Sequence, residues 1–255
     1  MTLTLTPLLK LPLIHPGDNL ADIILASLQT SHINLEEGDI LVLAQKIVSK
    51  AEGRLINLTT VIPTDSAKLL ATQCEKDPRL VELILRESTE ILRVRPGSVI
   101  VQHRLGFICA SAGIDHSNVQ GESGKPEDWV LLLPKDPDLS ALEIRRRVES
   151  ATSHHIGVMI IDSHGRVWRL GVVGTCIGLS GLPALIDERG LQDLFGYKLK
   201  ITIVGVADEL AAAASLVMGE AAEGTPVVHV RGFPYPLRES SMKELIRPKD
   251  QDFFR

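Results

Sequence analysis

Long hydrophobic runs are missing from this sequence, although 44% of its 255 residues are hydrophobic. Apolar stretches such as those at residues 130–133 and 156–161 are far shorter than the roughly 20 residues that a helix needs to cross a bilayer. The first residues also lack the basic segment and the small-residue cleavage site of a secretory signal. We therefore expect a cytoplasmic protein with an ample hydrophobic core and no membrane partner.

An excess of positive charge is also missing, because 27 basic and 32 acidic residues give a formal net charge of -5. A nucleic-acid partner is therefore not expected. The three cysteines cannot all pair, and no two of them have the spacing of zinc ligands or of a CxxC motif. Cys109 and Cys176 stand among apolar residues and glycines, which predicts buried packing residues in a reducing compartment.

Two common catalytic motifs are absent as well. The sequence contains neither the GxxxxGK[ST] loop of the P-loop nucleotide-binding proteins nor the GxSxG motif of many serine hydrolases. Glycines at positions 171, 174, 178 and 181 form a looser series. They would either let the backbone approach a ligand closely or serve turns, and their spacing does not decide between the two.

The hydrophobic pattern predicts a mixture of strands and helices. Continuous apolar runs predict strands near residues 40–44, 98–102, 107–110, 129–133, 156–161, 201–206 and 226–231. Apolar spacing of about 3.6 residues predicts helices near residues 64–74, 78–87, 139–152 and 208–218. Because these elements do not alternate in a regular βαβ rhythm, the sequence predicts an α+β fold and not a Rossmann sheet.

Polar residues follow two of the predicted buried strands. Residues 45–54 bring two lysines and an arginine to the end of the strand at 40–44, which suits a solvated strand end and a ligand-binding segment equally well. Asp162 follows the strand at 156–161, and Asp115 follows the shorter strand at 107–110. These carboxylates and the Ser163 hydroxyl are oxygen ligands of the kind that Mg²⁺ and Mn²⁺ prefer. Capping of a turn or a helix is the commoner use of aspartate in this setting, so both interpretations stay open. His164 is a candidate for a supporting or substrate contact.

These segments stand in the order found in a known family. The chain resembles the GTP-dependent coenzyme F420-0:L-glutamate ligases, the gamma-glutamyl ligases of deazaflavin cofactor synthesis, through residues 38–54, 112–119, 162–178 and 207–219. The resemblance implies a ligase that joins L-glutamate to the precursor F420-0, with further gamma-glutamyl additions. It implies an acyl-phosphate intermediate, release of GDP and phosphate, GTP as the substrate nucleotide, Mg²⁺ or Mn²⁺ as the metal, and K⁺ as a further candidate ion.

The resemblance also implies roles for individual residues. Asp115, Asp162 and Ser163 match metal-binding positions, with serine standing where threonine is frequent, and Lys50 joins the two aspartates as a catalytic residue. Glu220 stands where glutamine is common, and its negative charge beside phosphates would require a metal or a lysine to balance it. Nucleotide contacts are implied for Pro12, Leu13, Ile14, His15, Gln45, Lys46, Lys50, Asn118, Met218, Gly219 and Glu220. By our own assignment, Arg166 or Arg169 would bind a substrate carboxylate, because guanidinium suits bidentate recognition.

The architecture implied by the resemblance is a two-part mixed sheet and helix chain in an intertwined homodimer. Residues 1–90 with 200–255 would form the nucleotide-binding part, and residues 91–199 the metal- and substrate-binding part. Two alternatives to a ligase stay open: a non-catalytic nucleotide-binding protein that has kept the fold, and a metal-dependent phosphohydrolase that activates water. Retention of Lys50, Asp115, Asn118, Asp162 and Ser163 favours an enzyme.

Overall fold

A computed structural model describes residues 2–121 and 124–254 of the chain. Its α-helices are α1 (Leu20–Thr30), α2 (Gln45–Ala51), α3 (Asp65–Cys74), α4 (Pro78–Arg86), α5 (Pro137–Thr152) and α6 (Val206–Met218). Its strands are β1 (Thr4–Pro7), β2 (Ile40–Ala44), β3 (Leu55–Asn57), β4 (Ser88–Arg95), β5 (Ser98–His103), β6 (Ile108–Ala110), β7 (Trp129–Leu131), β8 (Gly157–Arg166), β9 (Arg169–Ser180), β10 (Ile186–Asp187), β11 (Ile203–Val204) and β12 (Val227–Arg231). The predicted α+β class is confirmed.

The central element is a five-stranded sheet in the order β1-β12-β2-β8-β9. β2 and β8 are parallel and the other neighbours are antiparallel. Alternate residues of β2 and β8 pack against α1, α2 and α5 on one face and against α6 on the other, which explains their continuous apolar runs. Because Ala44 pairs with Ile161 in the parallel register, the end of β2 lies beside Asp162, which is in the middle of β8.

A second hydrophobic core lies between α3, α4, the sheet β4-β5-β6 and the strand pair β3-β7. The backbone of Asp115 pairs with Leu131 at the end of β7, through hydrogen bonds of 3.0 and 2.9 Å in both directions. This pairing gives Asp115 a fixed place. The proposed division of the chain into two parts stays a prediction; the central sheet takes β8 and β9 from the range 91–199 and its other strands from the ranges 1–90 and 200–255.

The glycines of the series 171–181 have two different tasks. A Cβ atom at Gly174 would lie 2.5 Å from the backbone oxygen of Ala211 in α6, and one at Gly178 would lie 2.5 Å from the backbone carbon of Pro137 in α5. These two glycines let a helix pack closely on each face of β9, a task that we did not predict. Glycines 171 and 181 have φ angles of +83° and +79°, which suit glycine.

Three local predictions need correction. The strand predicted at 156–161 does not stop before Asp162, because β8 continues to Arg166 and pairs with β9 over these residues. Residues after Ala44 do not form a solvated strand end, because Gln45–Ala51 is a helix that packs Ile47 and Val48 into the core. The helix has seven residues and no capping side chain at Ala44, so the usual signal for a helix start is missing. The predicted strand at 201–206 is reduced to Ile203–Val204, since α6 already begins at Val206.

The three cysteines are free and buried, as predicted for Cys109 and Cys176. Within residues 2–121 and 124–254, no helix is both long and apolar enough to span a membrane.

Candidate active site

A cavity of about 630 Å³ lies where β2 ends, beside residues 161–164 in the middle of β8. Most of the residues predicted for the site line this cavity: Pro12, Leu13, Ile14, Gln45, Lys46, Lys50, Asp115, Asn118, Asp162, Ser163, Met218, Gly219 and Glu220. Of the residues that the structure describes, His15, Arg166 and Arg169 were also predicted for the site and do not line the cavity. The Arg166 guanidinium donates instead to the Leu170 carbonyl within the β8-β9 hairpin, at 2.9 Å.

Asp115 receives two side-chain donors from α2. Its Oδ2 atom accepts a hydrogen bond of 2.6 Å from Gln45 Nε2 and forms an ion pair with Lys46 Nζ. Burial raises the pKa of Asp115, the charge of Lys46 opposes that rise, and the nearby charge of Asp162 adds to it. The two aspartates therefore repel each other within one cavity, and Lys46 offsets part of that repulsion.

Asp162 is held from a different direction. Its Oδ2 atom lies 3.1 Å from His164 Nε2, and its carbonyl accepts a hydrogen bond of 3.2 Å from the Thr175 hydroxyl in β9. The His164 ring packs against Phe107 with 5.1 Å between centroids, and Phe107 stacks on His103 at the same distance. His164 therefore contacts Asp162 while an aromatic stack from the β5-β6 turn supports its ring.

The segment that follows α6 forms hydrogen bonds close to both aspartates in the sequence, with Ser163 beside Asp162 and with Asn118 three residues after Asp115. The Ser163 hydroxyl donates to the Glu220 carboxylate, at 2.8 Å from Oε1 and 3.0 Å from Oε2. Asn118 Nδ2 donates to the carbonyl of Ala221 at 2.7 Å. These contacts place a third carboxylate, that of Glu220, beside the two aspartates.

Two lysines balance these acids. Lys46 and Lys50 stand four residues apart on α2 and both line the cavity, as expected of positions that share one helix face. Burial lowers the pKa of Lys50, and the neighbouring positive charge of Lys46 lowers it further. The cavity therefore combines oxygen ligands for a cation with cations for an anionic ligand.

Comparison with known proteins identifies the family to which this arrangement belongs. The family described as F420-0:Gamma-glutamyl ligase matches residues 8–232. The chain belongs to this family. Three relatives named coenzyme F420:L-glutamate ligase support the assignment. That of Methanopyrus kandleri is 48% identical over 95% of this chain and 93% of its own length. That of Methanothermobacter thermautotrophicus is 46% identical over 96% of each chain. That of Archaeoglobus fulgidus is 42% identical over 100% of this chain and 97% of its own length.

The donor set of this family member suits a hard divalent cation that a phosphate ligand also binds. Among the described residues, no three His, Cys, Asp or Glu side chains form a group able to hold a metal ion by themselves. Asp115, Asp162 and Ser163 offer two carboxylates and a hydroxyl instead. Mg²⁺ usually needs only one or two carboxylates, because water and substrate phosphates complete its shell. The mutual repulsion of the two aspartates fits a cation between them.

Sequence reasoning missed three residues that support the site in this ligase family member. The Ser49 hydroxyl donates to Gln45 Oε1 at 2.9 Å, and the rings of Phe107 and His103 support His164. Ser49 could have been found from its spacing of four residues from Gln45 if the helix had been recognised. No pattern in the neighbouring sequence predicts the role of Phe107, because its contact with His164 joins two hairpins that are far apart in the chain.

Proposed function

We propose that this protein is a GTP-dependent ligase that joins L-glutamate to F420-0 through an amide bond and adds further gamma-glutamyl residues. The observation that carries the proposal is that two lysines, two aspartates and Ser163 line one cavity. The names of the relatives supply the substrate class. The match covers nearly all of this chain and of each relative.

The reaction that we propose has two steps. The terminal carboxylate of the acceptor attacks the γ-phosphorus of GTP. The bond between that phosphorus and the oxygen that bridges to the β-phosphate breaks, GDP leaves, and the acceptor becomes an acyl phosphate. The amine of L-glutamate then attacks the acyl carbon, phosphate leaves, and the amine loses its proton. The first step brings a carboxylate against charged phosphates, and the second develops negative charge on the acyl oxygen and the leaving phosphate. Stabilisation of negative charge is therefore the main catalytic requirement.

The residues of the cavity divide this task. Asp115, Asp162 and Ser163 would hold Mg²⁺ or Mn²⁺, which neutralises charge on the phosphates when bound. Lys50 lines the same cavity and would bind phosphate oxygens. Lys46 pairs with Asp115, and a cation on Asp115 would release Lys46 to the phosphates. Lys46 and the cation would together balance the negative charge of Glu220.

The same cavity offers a place for the guanine and ribose of the nucleotide. Leu13 and Ile14 contribute apolar side chains to its lining, Asn118 contributes a polar amide, and Gly219 lines it without a side chain. Pockets of this kind usually combine apolar walls with a few polar groups that fix the orientation of the ligand. We assign the nucleotide to this region, with K⁺ as a further candidate ion, and L-glutamate and F420-0 to the remaining space.

A homodimer is proposed from a separate observation. Five large apolar side chains in two segments are almost completely exposed, at 86–98% of their surface: Trp168, Leu170, Leu194, Phe195 and Ile201. Single exposed apolar residues are common on monomers, but clusters of them usually mark an interface. The β8-β9 turn and the segment 191–203 are therefore proposed as the surface that a second copy of the chain covers.

One assay separates this function from its alternatives. The purified protein is incubated with GTP and Mg²⁺, with and without F420-0 and L-glutamate, and free phosphate and product mass are measured. A ligase releases phosphate only when both substrates are present, and the product gains the mass of a glutamyl residue. Phosphate release without either substrate would instead establish a phosphohydrolase. Nucleotide binding without turnover would establish a non-catalytic relative, and replacing GTP by ATP tests the nucleotide preference.

A further inference from the structure

We propose that Gln45 is a positioning residue that aims the carboxylate of Asp115, and that the hydroxyl of Ser49 fixes Gln45 for this task. The inference rests on the proposed function, because it concerns a residue assigned to the metal. It gives the Gln45 side chain a role different from the nucleotide contact expected from the family resemblance.

Burial is the first observation that supports this role. Gln45 is 1% exposed and Ser49 is completely buried, although both are polar. A buried amide is costly unless its donor and its acceptor are both satisfied. Both ends of the Gln45 amide have partners, at 2.9 Å from Ser49 Oγ and at 2.6 Å from Asp115 Oδ2.

The chemistry of the two partners sets the direction of the amide. The Asp115 carboxylate can only accept, so the NH₂ group of Gln45 must face it. The Ser49 hydroxyl donates to the oxygen at the other end of the amide. Reversing the amide would bring its oxygen against the carboxylate and break the hydrogen bond to Asp115, whereas the Ser49 hydroxyl can donate or accept and would keep a partner. Asp115 therefore sets the orientation of the Gln45 amide, and Ser49 anchors its other end.

The helix makes this arrangement rigid. Gln45 and Ser49 are four residues apart on α2 and lie one turn from each other. The same helix packs Ile47 and Val48 into the core beneath the sheet. On the other side, the backbone of Asp115 is paired with Leu131. The Asp115 carboxylate is therefore fixed between a packed helix and a strand end.

Gln45 differs from Lys46, which binds the same carboxylate oxygen. The Lys46 side chain is 26% exposed and can leave for an incoming phosphate, whereas the Gln45 amide is buried and is also held by the Ser49 hydroxyl. Gln45 is thus the donor that stays on Asp115 when the site is loaded. Because both donors bind Oδ2, we assign Oδ1 of Asp115 to the cation. Partners of this kind typically change metal affinity 10- to 100-fold.

The test measures binding of Mn²⁺ alone to the full chain, followed by the loss of the electron paramagnetic resonance signal of the free ion. Gln45→Met keeps the length of the side chain and removes both hydrogen bonds, and should raise the Kd by about 10- to 100-fold. Ser49→Ala should raise the Kd by about three- to tenfold, the scale of one hydrogen bond. Thermal unfolding of each variant shows that the fold is kept.

The double variant distinguishes positioning from general loosening. If Ser49 acts only through Gln45, adding Ser49→Ala to Gln45→Met should leave the Kd of Gln45→Met unchanged. The matched control is Ser240→Ala, which removes a half-buried hydroxyl that bonds Leu182 and Ala184 away from the cavity. It should leave Mn²⁺ affinity at the wild-type value.

The possible results separate this inference from the proposed function. Wild-type Mn²⁺ affinity in Gln45→Met, with binding lost in Asp115→Asn, overturns the role of Gln45 and keeps the metal site. Independent, multiplying effects of the two substitutions overturn the role of Ser49. A wild-type protein that binds no Mn²⁺ overturns the metal assignment in the proposed function, and this inference with it.

Discussion

At the scale of single residues, the two aspartates of the cavity are supported from opposite sides. Asp115 receives its donors from α2, a helix of the central core. Asp162 receives its contact from His164, whose ring rests on Phe107 between the two hydrophobic cores. Protein contacts therefore hold both carboxylates in place, which reduces the reorganisation needed during the reaction.

Neutralising either aspartate should abolish turnover without unfolding the protein. Asp115→Asn and Asp162→Asn keep the size of each side chain and remove a negative charge from a cavity rim, not an apolar contact from the core. We expect product formation to fall below detection in the ligase assay, while circular dichroism stays that of the wild type. Turnover at the wild-type rate in either variant would contradict the metal assignment.

Replacing His164 should weaken metal binding while keeping the aromatic stack. His164→Phe retains a ring that can pack on Phe107 and loses the contact with Asp162, so the Kd for Mn²⁺ should rise about 10- to 100-fold. His164→Gln keeps an N–H donor and is the matched control, with a smaller rise expected. Equal Mn²⁺ affinity in His164→Phe and wild type would show that Asp162 needs no such partner.

At the scale of elements, β9 depends on its glycines because α5 and α6 approach it closely. A Cβ atom at Gly178 would meet the backbone of Pro137, which cannot rotate away as a flexible side chain would. The helices therefore set the size limit at these positions of the strand.

Gly178→Ala should consequently lower the free energy of unfolding by about 1–3 kcal/mol, the usual cost of overpacking. For a chain of this size, Tm should fall by about 2–4 °C for each kcal/mol. The matched control is Gly165→Ala, because a Cβ atom there has nothing within 4 Å and the backbone φ is not positive. A Tm equal to that of the control would contradict the close packing of α5 on β9.

A buried ion-pair network joins several other elements. Glu87, at the end of α4, lies 3.0 Å from Arg54 Nη2 and 2.9 Å from Arg104 Nε, and His103 lies 3.7 Å away. Burial would raise the pKa of Glu87. The contacts with His103, Arg104 and Arg54 outweigh that effect and lower the pKa to about 2.

This network predicts a dependence of stability on pH. The folded pKa of Glu87 lies below its ordinary value of 4.5, so the stabilisation is fully present above pH 4.5 and is lost as the pH falls toward about 2. Glu87→Gln should lower the free energy of unfolding at pH 7 by about 3 kcal/mol and flatten its decline between those pH values. Urea unfolding at several pH values measures the free energy of unfolding at pH 7 and its decline toward low pH. If the decline in Glu87→Gln equals that of the wild type, the network does not stabilise the protein as proposed.

At the scale of the whole molecule, the exposed apolar side chains of the β8-β9 turn and of the segment 191–203 predict self-association. Replacing Leu194 and Phe195 together by aspartate should place two charges in the proposed interface and shift the protein to a monomer. Light scattering should then report 27.8 kDa for the variant and twice that mass for the wild type. Ile62→Asp is the control, since Ile62 is 83% exposed outside both segments, and should stay dimeric. A monomeric wild type would contradict the dimer.

Much of the fold was predictable from the sequence because its signals are local. The buried strands at β2 and β8 are recognisable as apolar runs, and α3 and α4 as periodic segments with capping residues. The short helix α2 was missed, since it has no capping side chain and too few residues to show a period. Family motifs supplied the candidate site residues, but no local signal showed that they meet.

The sequence by itself determined the α+β class, the family and the two acidic segments, since each depends on residues that are close together in the chain. Only the tertiary structure decided that Gln45 and Lys46 contact an aspartate about 70 positions away, and that Glu220 meets Ser163. The parallel pairing of β2 with β8 brings Asp162 beside the end of β2, and the pairing of Asp115 with Leu131 fixes the backbone of Asp115. Such contacts depend on how separate elements pack, which a pattern of neighbouring residues does not record.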